Sequence, residues 1–291
     1  MRASRNSKSI LGYISSSTDS EVRDPGRRTS KTKTSATERF TGRTGPRSNP
    51  LSKADFEVWT VLLTVLFVLI ANRYLGSTTK IAWVPGVLGD LGLDSASEWV
   101  DGFINNARHR EFNRKIYFAG FRIVVYLLPA AVVSRRLLGV GLRDLGCSFR
   151  GGWKHVSTYG GLYLGLLPFI YLASTMASFK AQYPFYTPNA WESFWPWFAG
   201  WEALYLLHFV ALEFFFRGFA LHALSKHIGS LSIAVMVVPY TMIHFAKPFP
   251  EAIGSIAAGT ILSVLSLRSK SAGWGGVLHF AVALTIDGLT Y

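Results

Sequence analysis

The stretch Leu212-Glu213-Phe214-Phe215-Phe216-Arg217-Gly218 sets a carboxylate and a guanidinium inside a long run of apolar side chains. At bilayer depth each such charge costs several kcal/mol unless it pairs or lines a polar cavity. Spacing of four places Glu213 and Arg217 one turn apart on the same helix face, where they can pair. Two later apolar stretches each hold a histidine, His244 and His279. Ionisable groups within membrane segments read by default as a functional site. The alternative is polar glue between helices.

Working outward, seven apolar segments lie near residues 56–74, 116–133, 156–179, 191–224, 228–246, 252–267 and 271–288. Each approaches the ~20 residues that cross ~30 Å of hydrocarbon. The expected fold is therefore all-α, a polytopic transmembrane helix bundle of about seven (seven to eight) spans. In the first segment Glu57 and Arg73 are expected to snorkel to the two interfaces, as is Arg122 at one end of the second. Trp191–Gly200, with Trp191, Trp195 and Trp197, reads as an interfacial stretch of the aromatic belt preceding the true span. Residues 81–101 contain Pro85, Gly86, Gly89, Asp90 and Asp94 and read as an extramembrane loop or surface helix. Gly254, Gly259, Gly273, Gly275 and Gly276 imply closely approaching helices, since packing drives association in lipid. Three regions follow: a disordered basic tail (1–53), amino-terminal spans with a loop (54–155), and a helical core (156–290).

The formal net charge is +13. Twelve Lys/Arg against four Asp/Glu in residues 1–53 leave +8 there. Such a tail suits anionic lipid headgroups, at ~1 kcal/mol per basic residue. Nucleic acid is not expected, because the basic residues lack interleaved aromatics for base stacking. The single cysteine, Cys147, provides neither an internal disulfide nor a cysteine metal site. Lys/Arg bias places the amino terminus inside and the carboxyl terminus outside. This fits a bacterial inner membrane with a cytoplasmic amino terminus. The alternative is an organelle membrane, because residues 1–18 are free of acids and contain Arg and Ser like a transit peptide. Neither a repeat of 20–50 residues nor a phosphate-binding glycine loop is present, which disfavours a transporter or nucleotide enzyme.

Imidazole is a common zinc ligand, and a carboxylate can ligate or act as base to metal-bound water. Glu213, His244 and His279 stand on three different spans, so only a packed bundle would unite them. Glu202 lies eleven residues before Glu213 and Asp287 eight after His279, offsets of roughly 16 and 12 Å along a helix. Both read as helix-end or cavity residues. His208 and His222 read as interhelix donors or interfacial groups, and His109, His155 and His227 as residues of polar connections. Lys247-Pro248-Phe249-Pro250-Glu251 reads as a rigid turn.

Glu213-Phe-Phe-Phe-Arg217-Gly218, Tyr240-Thr-Met-Ile-His244 and His279 resemble the CAAX-protease and bacteriocin-processing family of intramembrane metalloproteases, over about residues 155–290. That family includes the type II CAAX prenyl endopeptidases, whose motifs are Glu-Glu-x-x-x-Arg, Phe-x-x-x-His and His-x-x-x-Asn. Leu212 stands where the first motif has its first Glu, Tyr240 where the second has Phe, and Ala283 where the third has Asn. The resemblance implies a metallo-endopeptidase acting on a membrane-associated protein or peptide. A divalent metal, zinc, would be held by His244, His279 and Glu213. Glu213 would be the general base or part of the metal shell. Arg217 would orient Glu213 or bind a substrate carboxylate. Leu212 and Ala283 support the alternative, a catalytically inactive member acting as a membrane scaffold or peptide-binding protein.

Overall fold

Ser52 starts the first helix: Asp55 N–H donates to its hydroxyl at 3.1 Å, and its own N–H donates to the Asp55 carboxylate at 3.0 Å. This reciprocal cap satisfies two donors that a helix start otherwise leaves open. The computed structural model describes residues 52–149 and 153–291, so the tail reading for residues 1–51 lies outside the described residues. The helices are α1 (Lys53–Tyr74), α2 (Trp83–Asp90), α3 (Asp94–Ile104), α4 (Arg110–Arg136), α5 (Trp153–Ser174), the single turn α6 (Ala177–Lys180), α7 (Ala199–Glu213), α8 (Leu221–Ile228), α9 (Leu231–Met242), α10 (Phe249–Ser269) and α11 (Gly273–Thr290). The expected all-α bundle is present, and no strand occurs among the described residues.

Each of the seven apolar segments corresponds to a helix or helical rod, with two differences. The third ends at Ser174, short of residue 179, and α6 follows separately. The fifth ends at Met242, so His244 sits in the turn beyond α9. Five helical rods are long and apolar enough to cross a membrane: α1, α4, α5, the rod Phe194–Ile228 and α10. At 12 residues, α9 extends only ~18 Å. In α11 the polar His279 and Asp287 dilute the apolar run. The region 81–101 forms surface helices α2 and most of α3, as the turn-formers there require.

The rod Phe194–Ile228 is the centre of the bundle. Inside its apolar window 72% of residues are buried, against at most 28% in the other four rods. Its first residues bend at Trp195, whose backbone is extended (φ −113, ψ 129), before the chain continues through α7. A π-helical stretch, Phe214–Ala220, joins α7 to α8. Phe215, Phe216, Phe219, Leu221 and Leu224 pack there against Val61, Val65 and Val68 of α1 and Tyr126 and Ala130 of α4. A second cluster joins Trp201, Tyr205 and Phe209 of α7 to Phe118 and Ala119 of α4 and Ala283 of α11.

Small residues set the close approaches, as expected, at four of the five glycines. A Cβ on Gly276 would lie 2.9 Å from the Val210 backbone, one on Gly273 2.7 Å from the Phe149 ring, and one on Gly259 3.0 Å from Tyr240. Gly275 faces Glu213, whereas Gly254 meets nothing within 4 Å. The start of α11 is pinned by the 146–149 segment, with Ala272 N–H donating to the Gly146 carbonyl at 2.8 Å. Gly146 is required there, having φ +73 and a His222 ring atom 2.7 Å from where its Cβ would be.

Before the central rod, the segment 183–193 folds around Glu192. Its buried carboxylate accepts from the Tyr186 hydroxyl at 2.7 Å, the Asn189 N–H at 3.0 Å and the His109 ring at 3.0 Å. Burial alone would raise its pKa, yet these donors together hold it below the ordinary glutamate value of 4.5. A depressed carboxylate contributes stability above its unfolded value and loses it as pH falls through the folded one. Glu192→Gln is expected to lower stability by ~1–3 kcal/mol at neutral pH. The gap to wild type should shrink below about pH 4.5, read as thermal unfolding of the purified chain across pH.

Candidate functional site

Where α7 passes into the π-helical stretch, Glu213 is fully buried and Arg217 is 2% exposed. Arg217 Nη1 donates to Glu213 Oε1 at 2.8 Å, so the pair expected from the spacing forms. Arg217 also lies 3.6 Å over the Tyr240 ring of α9. The carbonyl of Arg217 accepts from Ser266 of α10 at 3.1 Å and contacts His222 Nδ1 at 2.6 Å. One arginine thereby ties α9 and α10 to the central rod.

His279 of α11 brings Nδ1 to 3.2 Å from the same Glu213 Oε1. A carboxylate can only accept, so His279 Nδ1 carries the proton and Nε2 the lone pair of the neutral ring. Its ring packs 4.3 Å from that of Phe209. His244, in the turn after α9, brings Nδ1 to 2.9 Å from the Tyr240 carbonyl. That carbonyl is likewise acceptor-only, which again leaves Nε2 as the lone-pair nitrogen. The two imidazoles lie nearly parallel, 14° apart in plane, with centroids separated by 6.4 Å. This is wider than the ~3.5–4.0 Å of direct carbon contact. Glu213, Arg217, His244 and His279, distant in sequence, are therefore brought together.

The expected ligand set is not assembled in that cluster. Among the described residues no three His, Cys, Asp or Glu side chains group as a cation site. Catalytic zinc takes three protein ligands, and the site offers two free imidazole nitrogens. Glu213 is turned to Arg217 and the far side of His279, as a group that orients an imidazole is. Glu213 Oε2 and Arg217 Nη2 are buried without a hydrogen-bond partner among the described residues. Gly275 makes room for Oε2: a Cβ there would lie 3.2 Å from it. Gly276→Ala, one residue on, is expected to destabilise the α7–α11 crossing by ~1–3 kcal/mol. Thermal unfolding in detergent reads it out.

Leu212 packs into the apolar cluster against α1 and α4, and Ala283 into the cluster around Trp201. His208 is buried among Phe118, Tyr126, Tyr205 and Phe209 with neither nitrogen bonded, so it is not an interhelix donor. His222 bonds carbonyls of its own helix. Asp287 accepts from Phe185 N–H at 3.0 Å, while both Glu202 oxygens lack a partner among the described residues. His109 and His227 pair with Glu192 and Glu57.

A network missed in the sequence lies beyond His244. Lys247 donates to the Tyr183 hydroxyl at 2.8 Å, which donates to Glu251 at 2.7 Å. Burial lowers the Lys247 ammonium from its ordinary value, with Glu251 acting against this. The i,i+4 spacing of Lys247 and Glu251 was the available signal. Arg122 is also not at a span end. It is the thirteenth residue of the 27-residue α4 and lies 4.0 Å over the Phe118 ring.

No curated protein and no solved structure matches the chain. Residues 193–285 match the family model described as type II CAAX prenyl endopeptidase Rce1-like. The matched residues contain the central rod, the Glu213–Arg217 pair and both imidazoles. With its apolar rods the chain is an integral membrane protein, and over residues 193–285 it is similar to the Rce1-like family of type II CAAX prenyl endopeptidases.

Proposed function

We propose that this protein is an intramembrane endopeptidase that cleaves a membrane-associated protein or peptide with water activated by imidazole. The observation that carries the reading is the pair of facing rings, His244 and His279, each anchored through Nδ1 and each with a free Nε2. Water between them attacks the scissile carbonyl and passes a proton to His279 Nε2. The Glu213 carboxylate on the far side balances the charge the ring acquires, as in other carboxylate–imidazole pairs. The second O–H of the water stays intact and donates a hydrogen bond to His244 Nε2, which sets the direction of attack. His279 then returns the proton to the leaving amine. Arg217 holds Glu213 in place and positions it without touching the reacting atoms.

Two ligands fall short of a zinc site, so no step passes through a metal. The amino terminus is assigned to the inner, Lys/Arg-rich side. Burial of Leu212 and Ala283 in apolar clusters favours a second reading, a catalytically silent peptide-binding scaffold.

The test is incubation of the full chain in lipid vesicles with a library of apolar membrane-inserting peptides, reading new termini by mass spectrometry. Cleavage that persists in 1,10-phenanthroline supports the reading. Cleavage lost to the chelator and restored by zinc replaces it with the metallopeptidase. Absence of cleavage across the library supports the scaffold.

A further inference from the structure

Between the start of α5 and the end of α10 lies a cleft of about 190 Å³, outside the hydrolytic cluster. His155, Thr158 and Tyr159 line it from α5, and Leu265, Arg268 and Ser269 from α10. Lys154 and Lys270 adjoin these lining residues in sequence. The two helices bring no carboxylate to this end, since residues 145–191 and 252–286 contain neither Asp nor Glu. Among the described residues Arg268 enters no ion pair within 4.0 Å, and its side chain is exposed. The cleft between α1 and α8 is different, because there Glu57 lies beside Lys226 and holds His227 at 2.9 Å. A phosphate at that place would meet a carboxylate. At the α5–α10 cleft the lining offers hydroxyls, an imidazole and a guanidinium.

Depth and shape decide which anion fits. The α5 lining falls within roughly 9 Å of the first residue of that helix, at 1.5 Å per residue, and α10 ends beside it. Both helices are apolar rods long enough to cross a membrane, so the cleft lies at the level of the lipid headgroups. Tyr159 closes its floor, packed with Leu262 and Leu278. One turn deeper the same faces carry Leu162 of α5 and Ile261 of α10, four residues from Thr158 and Leu265. Polar and cationic groups thus stand above an apolar strip that opens to lipid, since only 11% of the apolar window of α5 is buried. We infer that the cleft binds the phosphate of an anionic phospholipid, with Arg268 as its main partner and an acyl chain laid along α5. Basic pockets between spans on the inner side recognise such headgroups. A choline or ethanolamine head would instead bring a further cation to Arg268, Lys154 and Lys270. The inference holds for a peptidase and for a silent scaffold alike.

The test is photolabelling of the full chain in phosphatidylcholine nanodiscs holding a trace of diazirine-bearing phosphatidylglycerol, with labelled peptides mapped by mass spectrometry. Label is expected on residues 155–162 and 261–269, at least about ten-fold above that from diazirine-bearing phosphatidylcholine. Arg268→Gln should lower it about five-fold, one basic residue's share near an anionic surface, and Arg268→Lys should restore most of it. Because the Arg268 side chain is exposed, both variants should unfold at the temperature of wild type. Equal labelling by the two lipids overturns the inference, as does label that Arg268→Gln leaves unchanged. Label confined to residues 1–53 also overturns it, and assigns the attraction to the basic tail. Suppression by inorganic phosphate as strong as that by unlabelled phosphatidylglycerol overturns it in favour of a soluble phosphate ligand.

Discussion

Glu213→Ala is expected to leave little folded protein, with a loss of about 3–5 kcal/mol. The carboxylate is fully buried and holds Arg217, itself 2% exposed, at 2.8 Å. Removing one member of a buried pair leaves the other charge without compensation, and the quoted range is the usual cost. His279 Nδ1 loses its acceptor in the same step. The cost should fall when both charges go together, because apolar residues of similar volume often replace a buried pair without penalty. Glu213→Leu with Arg217→Leu should therefore recover most of the folded yield but no cleavage. The readout is the monodisperse fraction in mild detergent, followed by thermal unfolding. A Glu213→Ala protein that melts within about 0.5 kcal/mol of wild type would mean that water reaches this pair.

The same pair shows how far the sequence could be read. Four-residue spacing in an apolar run announces an ion pair, and the structure has it. The run lengths announce the helices, because each segment must satisfy its backbone internally if it lies in lipid. What the helices present to one another was not legible. An amphipathic helix reveals its buried face by its 3.6-residue period, but α7, α9 and α11 are apolar nearly all round. Glu213 and His279 meet only because Gly276 lets α11 approach the Val210 backbone, and that contact joins residues 66 apart. The resemblance to the family placed these residues in one site, yet it implied a shared metal. The geometry sets Glu213 behind His279 instead.

Boundaries erred where turns override the apolar pattern. His244 was read within a span, yet α9 stops at Met242 and the chain turns through His244 towards Pro248. Residues preceding a proline disfavour helical backbone, so the Lys247-Pro248-Phe249-Pro250 sequence held that signal. The turn frees His244 from the rigid face of α9 and directs its Nδ1 to the Tyr240 carbonyl. Arg122 was misplaced for a different reason. A long cationic side chain near the edge of an apolar window normally snorkels, and nothing local distinguishes that case from one laid over an aromatic ring on its own helix.

His279→Ala and His244→Ala are each expected to lower cleavage by about 100- to 10,000-fold, the range for a positioned acid–base group. Their effect on folding should be far smaller than that of Glu213→Ala. His279 retains some exposure on its side chain and bonds only Glu213, while His244 is anchored to a single carbonyl of its own chain segment. The double variant should cleave no worse than the weaker single one, because residues that act as a unit are not additive. Initial rates of peptide cleavage in vesicles, set beside thermal unfolding of each variant, separate the two quantities. Loss of folding without selective loss of rate would make the rings structural glue and end the peptidase reading. Independent, multiplying losses would instead give each ring its own step, and the water held between two imidazoles would have to be abandoned.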